Sequence, residues 1–243
     1  MSRFYDYGRL AGAKFLKAKW MWQSVAGNDA EAIRAEHGVG RTMADAIREQ
    51  APVDVDPLVR DLLRGIQARL AERVNNPLHR FDVTSTEESQ PTAYALPGGF
   101  IFVARSLVEL CDRDTDELGF VVGHEMAHVV RRHAMDRLLG QAAISAAAMA
   151  SPGRGALAAW IKGVGVPWLE RAYSREQEFE ADELGGLLMK AAGFDPAGSV
   201  RALQRFQRLD PAHDERGLGA YLSTHPPVAD RIARLRERLD LRL

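Results

Sequence analysis

The sequence predicts an α+β fold with a mainly helical body and a small sheet. Most of the chain carries apolar residues at helical spacing, and capping residues precede several of these stretches. Between residues 79 and 103 the pattern changes to a period of two, which favours strands. We therefore expect an N-terminal helical segment at 1–52, followed by one main domain at 53–243.

The N-terminal segment opens with aromatic and basic residues at 1–22. Such a helix could lie on a membrane surface, but we favour a helix that packs against the main domain. The next helix is better defined, because Asp56 can cap it, Pro57 suits its first turn, and an apolar stripe runs from Leu58 to Leu70.

The predicted sheet contains a strand around Val83 and a hairpin. The hairpin strands are Ala93–Leu96 and Phe100–Val103, and Gly98-Gly99 between them supplies the positive φ angles of a tight turn.

The strongest chemical signal is the sequence H-E-x-x-H at residues 124–128. On a helix, His124 and His128 lie one turn apart on one face, where both can bind one metal ion, and Glu125 can accept a proton from water. The motif is short and also occurs by chance, so a third ligand is needed to support it. We interpret His133, where this helix ends, as a surface residue.

A second helix supplies that ligand. Ser174 and Gln177 form a capping box, and Gly193 marks the end. Glu178 and Asp182 are four residues apart and share a face, so Glu178 can bind the metal while Asp182 accepts the outer N–H of a ligand histidine. Glu180 competes for the ligand role, but we assign it to solvent because it points away from that face.

The remaining stretches carry less chemistry. Residues 141–169 are apolar but interrupted, so we expect a soluble helical hairpin, with membrane contact as the alternative. At the C-terminal end, prolines fix the backbone beside His225, and an amphipathic helix with Arg231 follows. The apolar residues of that helix are Ile232, Leu235 and Leu239.

Four pieces of the sequence together resemble the zinc metallopeptidase family of HtpX and the CAAX prenyl proteases, and most closely its soluble bacterial members. They span about 140 residues, in the order of the family. The pieces are His124–His128, Ser174–Asp182, Ala93–Gly99 and Thr224–Pro227 with Arg231. Where the family often has Asn before the Ala-x-Ala-x-Pro-Gly-Gly piece, this chain has Thr92.

The resemblance implies a zincin-like fold and a zinc-dependent endopeptidase acting on polypeptides, with protein quality control as an implied role. It implies one Zn²⁺ per chain, held by His124, His128 and Glu178, with Glu125 as general base. The strand of Ala93, Tyr94, Ala95 and Leu96 would bind substrate along its edge. His225 and Arg231 would stabilise the oxyanion, or His225 would close the site as a latency switch. The alternatives are a chaperone-like or scaffolding protein with a zinc-stabilised fold, and an aminopeptidase.

Composition limits the binding partners, the disulfide bonds and the compartment that we expect for this chain. The 32 basic and 33 acidic residues leave no excess charge that would favour nucleic-acid binding. A lone cysteine, Cys111, excludes an internal disulfide and fits a core position. No secretory signal is visible, so we expect a cytoplasmic protein. It would be peripheral to the membrane if residues 1–22 or 141–169 contact the bilayer. It would be periplasmic if a leader precedes the chain. The sequence does not specify an oligomeric state.

Overall fold

The computed structural model describes residues 29–49, 51–136, 173–208 and 226–241, and it confirms the mainly helical α+β class with a small sheet. The strands are β1 (Asp82–Thr86), β2 (Ala93–Ala95) and β3 (Phe100–Ala104). The helices are α1 (Asp29–Arg48), α2 (Pro57–Ala71), α3 (Arg105–Leu110), α4 (Thr115–Val130), α5 (Arg175–Ala191), α6 (Ala197–Arg208) and α7 (Val228–Leu239).

Helix α4 lies at the centre of the described structure. Its residues from Glu117 to Val129 are all buried, because α2, α5, α6 and strand β2 pack around it. The mostly apolar sequence of this helix suits burial on every side. The two histidines and the glutamate in its second half are therefore enclosed in the core, where polar groups need partners.

The sheet has the strand order β1-β3-β2, with β1 parallel and β2 antiparallel to β3. The chain passes from β2 to β3 through a short 3₁₀ turn at Pro97–Gly99, in which Gly98 and Gly99 have φ angles of 74° and 94°. The predicted positive angles are confirmed. Helix α1 packs over this turn, and the His37 Nδ1 lies 3.0 Å from the carbonyl oxygen of Gly98.

Strand β2 forms one edge of the sheet and packs beside α4. The N–H of Leu96 donates to the carbonyl of Phe100, and the N–H of Ala104 donates to the carbonyl of Thr92. In an antiparallel pair these bonds alternate along the strand, so the main-chain groups of Ala93 and Ala95 face the opposite edge. That edge points towards the polar half of α4.

Several predicted local features are confirmed. Asp56 caps α2 with Pro57 in its first turn, and Ser174 and Gln177 form the reciprocal capping box of α5. In addition, Asp114 caps α4, and the Glu117 carboxylate in the first turn of this helix pairs with Arg205. Buried apolar positions predicted correctly are Cys111, Ile232, Leu235 and Leu239.

Within the described ranges, no helix combines the length and apolar character that a membrane span requires. The predictions for residues 1–22, 141–169 and His225 fall on parts of the chain outside those ranges. The division into 1–52 and 53–243 stays a prediction.

Candidate metal centre

Helices α4 and α5 bring three potential metal ligands together. The Nε2 atoms of His124 and His128 lie 3.1 Å apart, and each is 3.6 Å from a carboxylate oxygen of Glu178. One ligand atom from each residue falls within 4.8 Å of the other two, and all three side chains are buried. Two imidazole nitrogens and one carboxylate oxygen form a donor set that fits a divalent metal ion with a fourth position open.

Close packing of the two helices permits this arrangement. A Cβ atom added to Gly185 of α5 would lie 2.7 Å from the backbone nitrogen of His124, and one added to Gly123 would lie 3.0 Å from the carbonyl oxygen of Gly185. Contacts this short exclude a side chain at Gly185. The glycine therefore lets α5 approach the backbone of α4 beside the first ligand.

His124 is oriented by a buried ion pair. Its Nδ1 lies 3.0 Å from Oδ1 of Asp182, and Arg231 donates from Nε to Oδ2 at 2.7 Å and from Nη2 to Oδ1 at 2.6 Å. Burial works to raise the pKa of Asp182, but the charge and hydrogen bonds of Arg231, together with the hydrogen bond to His124, outweigh burial and hold that pKa well below its ordinary value. Burial likewise works to lower the pKa of His124, yet Asp182 and Glu178 raise it. The carboxylate thus stays ionised and accepts the outer N–H of this ligand.

His128 is oriented by a different partner. Its Nδ1 lies 2.9 Å from Nδ1 of His133, whose Nε2 lies 3.3 Å from Oε2 of Glu180. The interpretation of His133 as a surface residue is wrong, since only 3% of it is exposed. Glu180 does lie outside the ligand cluster, but it contacts His133 and Arg131 as well as solvent. The ring of Tyr173 stacks on His128, with centroids 4.0 Å apart.

Glu125 follows the first ligand and lies between α4 and the edge of the sheet. Its carboxylate accepts a hydrogen bond from the main-chain N–H of Ala95, while burial raises its pKa to about 7. A carboxyl group with such a pKa can accept a proton near neutral pH and return it. The position and the pKa suit a general base.

A small pocket lies beside this group. Glu125 and His124 form its polar side, and Ala93 of the edge strand lies on its rim. Most of the remaining lining is apolar, from Pro91, Leu107, Phe120, Val121 and Phe206, and Arg231 completes it. The pocket therefore connects the edge strand with the Glu125 carboxylate.

The structure therefore brings together most of the residues that the sequence singles out. Sequence reasoning missed His133, Tyr173 and the glycine contact. Helical spacing gave no signal for His133, which follows His128 by five residues, and the partner of Gly185 has no local signature either.

Comparison with known proteins identifies the family of the chain. A profile of the family described as Peptidase family M48 matches residues 58–239. The chain is 33% identical over 165 residues to mitochondrial metalloendopeptidase OMA1 of Schizosaccharomyces pombe, covering 66% of this chain and 47% of that protein. It is 28% identical over 222 residues to the beta-barrel assembly-enhancing protease of Escherichia coli, covering 85% and 44%. The chain thus spans less than half the length of these relatives.

Proposed function

Because the chain belongs to peptidase family M48, we propose that it is a zinc-dependent endopeptidase that cleaves polypeptides. The observation that carries the proposal is the position of Glu125. This buried carboxylate lies beside a three-ligand metal site and bonds to the edge of an open strand. A purely structural metal site has no use for such a base, so the arrangement favours catalysis over a scaffold.

The proposed reaction is hydrolysis by a water molecule. Zinc held by His124, His128 and Glu178 would lower the pKa of that water and polarise the scissile carbonyl. Glu125 accepts the proton as the water attacks and delivers it to the leaving amine. Since the proton arrives and leaves on one group, the base is regenerated in each cycle.

The edge strand explains how a polypeptide could bind. The main-chain groups of Ala93 face the edge away from β3, while the N–H of Ala95 on that edge donates to Glu125, so an extended substrate can add as a further strand at Ala93. The main-chain groups of Tyr94 and Leu96 face β3 and pair with that strand. Because main-chain hydrogen bonds do not depend on the side chains of the substrate, we propose broad specificity for unfolded protein segments.

Two further residues keep proposed roles. His225 would stabilise the oxyanion or close the site, as the family resemblance implies. For Arg231, the oxyanion role competes with a positioning role, because its guanidinium already donates two hydrogen bonds to Asp182.

The test is Glu125→Gln, which keeps the shape of the side chain and removes the base. We expect stoichiometric zinc to remain while cleavage of casein falls by about 10²–10⁴-fold, the usual contribution of a general base. Glu72→Gln, at an exposed carboxylate where α2 ends, is the matched control. Activity of Glu125→Gln within a few-fold of the parent would refute the mechanism. An N-terminally blocked peptide that resists cleavage would indicate an aminopeptidase instead.

A further inference from the structure

We propose that His133 is a positioning residue of the metal centre, which fixes the tautomer and the orientation of His128 and is itself held by Glu180. The inference rests on the metal site of the proposed function and goes beyond it, because it gives a role to a side chain that is neither a ligand nor the base.

The first step concerns which nitrogen of each ligand faces the metal position. The Nε2 atoms of His124 and His128 face each other at 3.1 Å and both lie 3.6 Å from Glu178. The Nδ1 atoms point away from the cluster. A neutral imidazole that binds a metal through Nε2 carries its proton on Nδ1, so each ligand must donate a hydrogen bond on its outer side.

The second step follows the proton of His128. The structure places Nδ1 of His133 2.9 Å from Nδ1 of His128, so the His133 nitrogen must be the acceptor. The proton of His133 then lies on Nε2, which is 3.3 Å from Oε2 of Glu180. One hydrogen-bonding pattern therefore satisfies all three side chains, and it leaves Nε2 of His128 available as a ligand.

The third step compares the two ligands. The outer N–H of His124 meets a carboxylate that Arg231 holds in the core. The outer N–H of His128 meets a neutral ring, and a carboxylate enters only beyond that ring. This carboxylate, Glu180, is 44% exposed and is paired with Nε of Arg131 at 3.0 Å. Each proposed ligand thus donates its outer N–H into a hydrogen-bonded series that ends at a carboxylate. The series from His124 ends in the core at Asp182, whereas the series from His128 ends near the surface at Glu180.

A role in packing alone would make a different prediction. If His133 only filled space, a ring of similar size would replace it without effect on the metal. If it accepts a hydrogen bond from His128, removal of the acceptor should weaken metal binding by roughly 10–100-fold, the usual cost of losing such a partner.

The experiment measures metal affinity and needs no substrate. His133→Phe keeps a ring and removes both nitrogens, whereas His133→Asn keeps an oxygen near the position of Nδ1. We expect zinc affinity, from competition with a chromophoric chelator, to fall by about 10–100-fold in His133→Phe and to recover in His133→Asn. The visible absorption spectrum of the Co²⁺-loaded protein should likewise differ from that of the parent in His133→Phe and resemble it in His133→Asn. Parent-like affinity and an unchanged Co²⁺ spectrum in His133→Phe would overturn the proposal.

A second pair of variants covers the case in which His133→Phe does not fold. Glu180→Ala removes the outer acceptor from a half-exposed site, and we expect a smaller fall in zinc affinity, of a few-fold. Glu183→Ala is the matched control, since Glu183 lies on the same helix, is 48% exposed and pairs with Arg238. Equal affinities in these two variants would refute the role of Glu180. A parent that binds no zinc would instead refute the proposed function, so the two failures are distinguishable.

Discussion

Arg231 donates two hydrogen bonds to Asp182, from Nε to one carboxylate oxygen and from Nη2 to the other. Both side chains are buried, and Asp182 also accepts from His124, one of the proposed metal ligands. The arginine therefore acts on the metal site through two intervening groups. This geometry favours a positioning role over direct contact with a developing oxyanion.

The first prediction separates these two roles. Arg231→Ala leaves a buried carboxylate without its cation, which costs about 3–5 kcal/mol of the free energy of unfolding. We expect zinc affinity to fall with it, because Asp182 no longer holds His124. Calorimetry of the metal-free protein and chelator competition measure the two effects. A fall in kcat with parent-like zinc affinity and stability would instead support the oxyanion role.

The second prediction concerns the third ligand. Glu178→Ala removes an oxygen ligand from the cluster, so we expect the purified protein to lose stoichiometric zinc, as should His124→Ala. Glu180→Ala should retain one zinc per chain, because this residue is outside the cluster and supports it only at a distance. The zinc content of each variant is measured by metal analysis after dialysis. If only Glu180→Ala loses zinc, Glu180 and not Glu178 is the third ligand.

The third prediction tests the helix contact. In Gly185→Ala the new methyl group would lie 2.7 Å from the backbone nitrogen of His124, so α4 and α5 must separate. We expect a loss of about 1–3 kcal/mol in the free energy of unfolding, as is usual for overpacking, together with weaker zinc binding. Gly65→Ala on α2 is the control, since a Cβ there meets nothing within 4 Å and should stabilise the helix by about 0.5–1 kcal/mol. Similar denaturation midpoints for the two variants would contradict the prediction.

The sequence predicted the parts of the site that depend on helical spacing. His124 and His128 share a face because they are four residues apart, and the same rule places Glu178 and Asp182 together. The fold class followed from equally local signals, such as the caps of α2 and α5 and the glycines between β2 and β3.

The features that sequence reasoning missed depend on the path of the chain. Arg132 has a φ angle of 61°, so the chain turns at the end of α4 and His133 comes back against His128. Helical spacing alone would not bring a residue five positions later to that ring. The partners of Gly185 and Arg231 are equally non-local, because packing between helices selects them.

The last prediction tests the edge strand as the substrate site. Ala93→Pro removes an N–H that faces the open edge, while the bonds of the neighbouring residues to β3 stay intact. Proline is tolerated on an edge strand for this reason, and its fixed φ angle is compatible with an extended chain. We therefore expect little change in thermal stability and in zinc content, but a fall in kcat/KM of roughly tenfold, the effect of about one lost hydrogen bond.

Tyr94→Pro is the matched control for this edge. It removes an N–H on the β3 side, so it should lower the melting temperature whether or not substrate binds at the edge. An Ala93→Pro variant with parent-like kcat/KM towards casein would show that the polypeptide binds elsewhere. If kcat/KM falls while zinc content and stability stay parent-like, the polypeptide pairs with the main chain of β2 at Ala93.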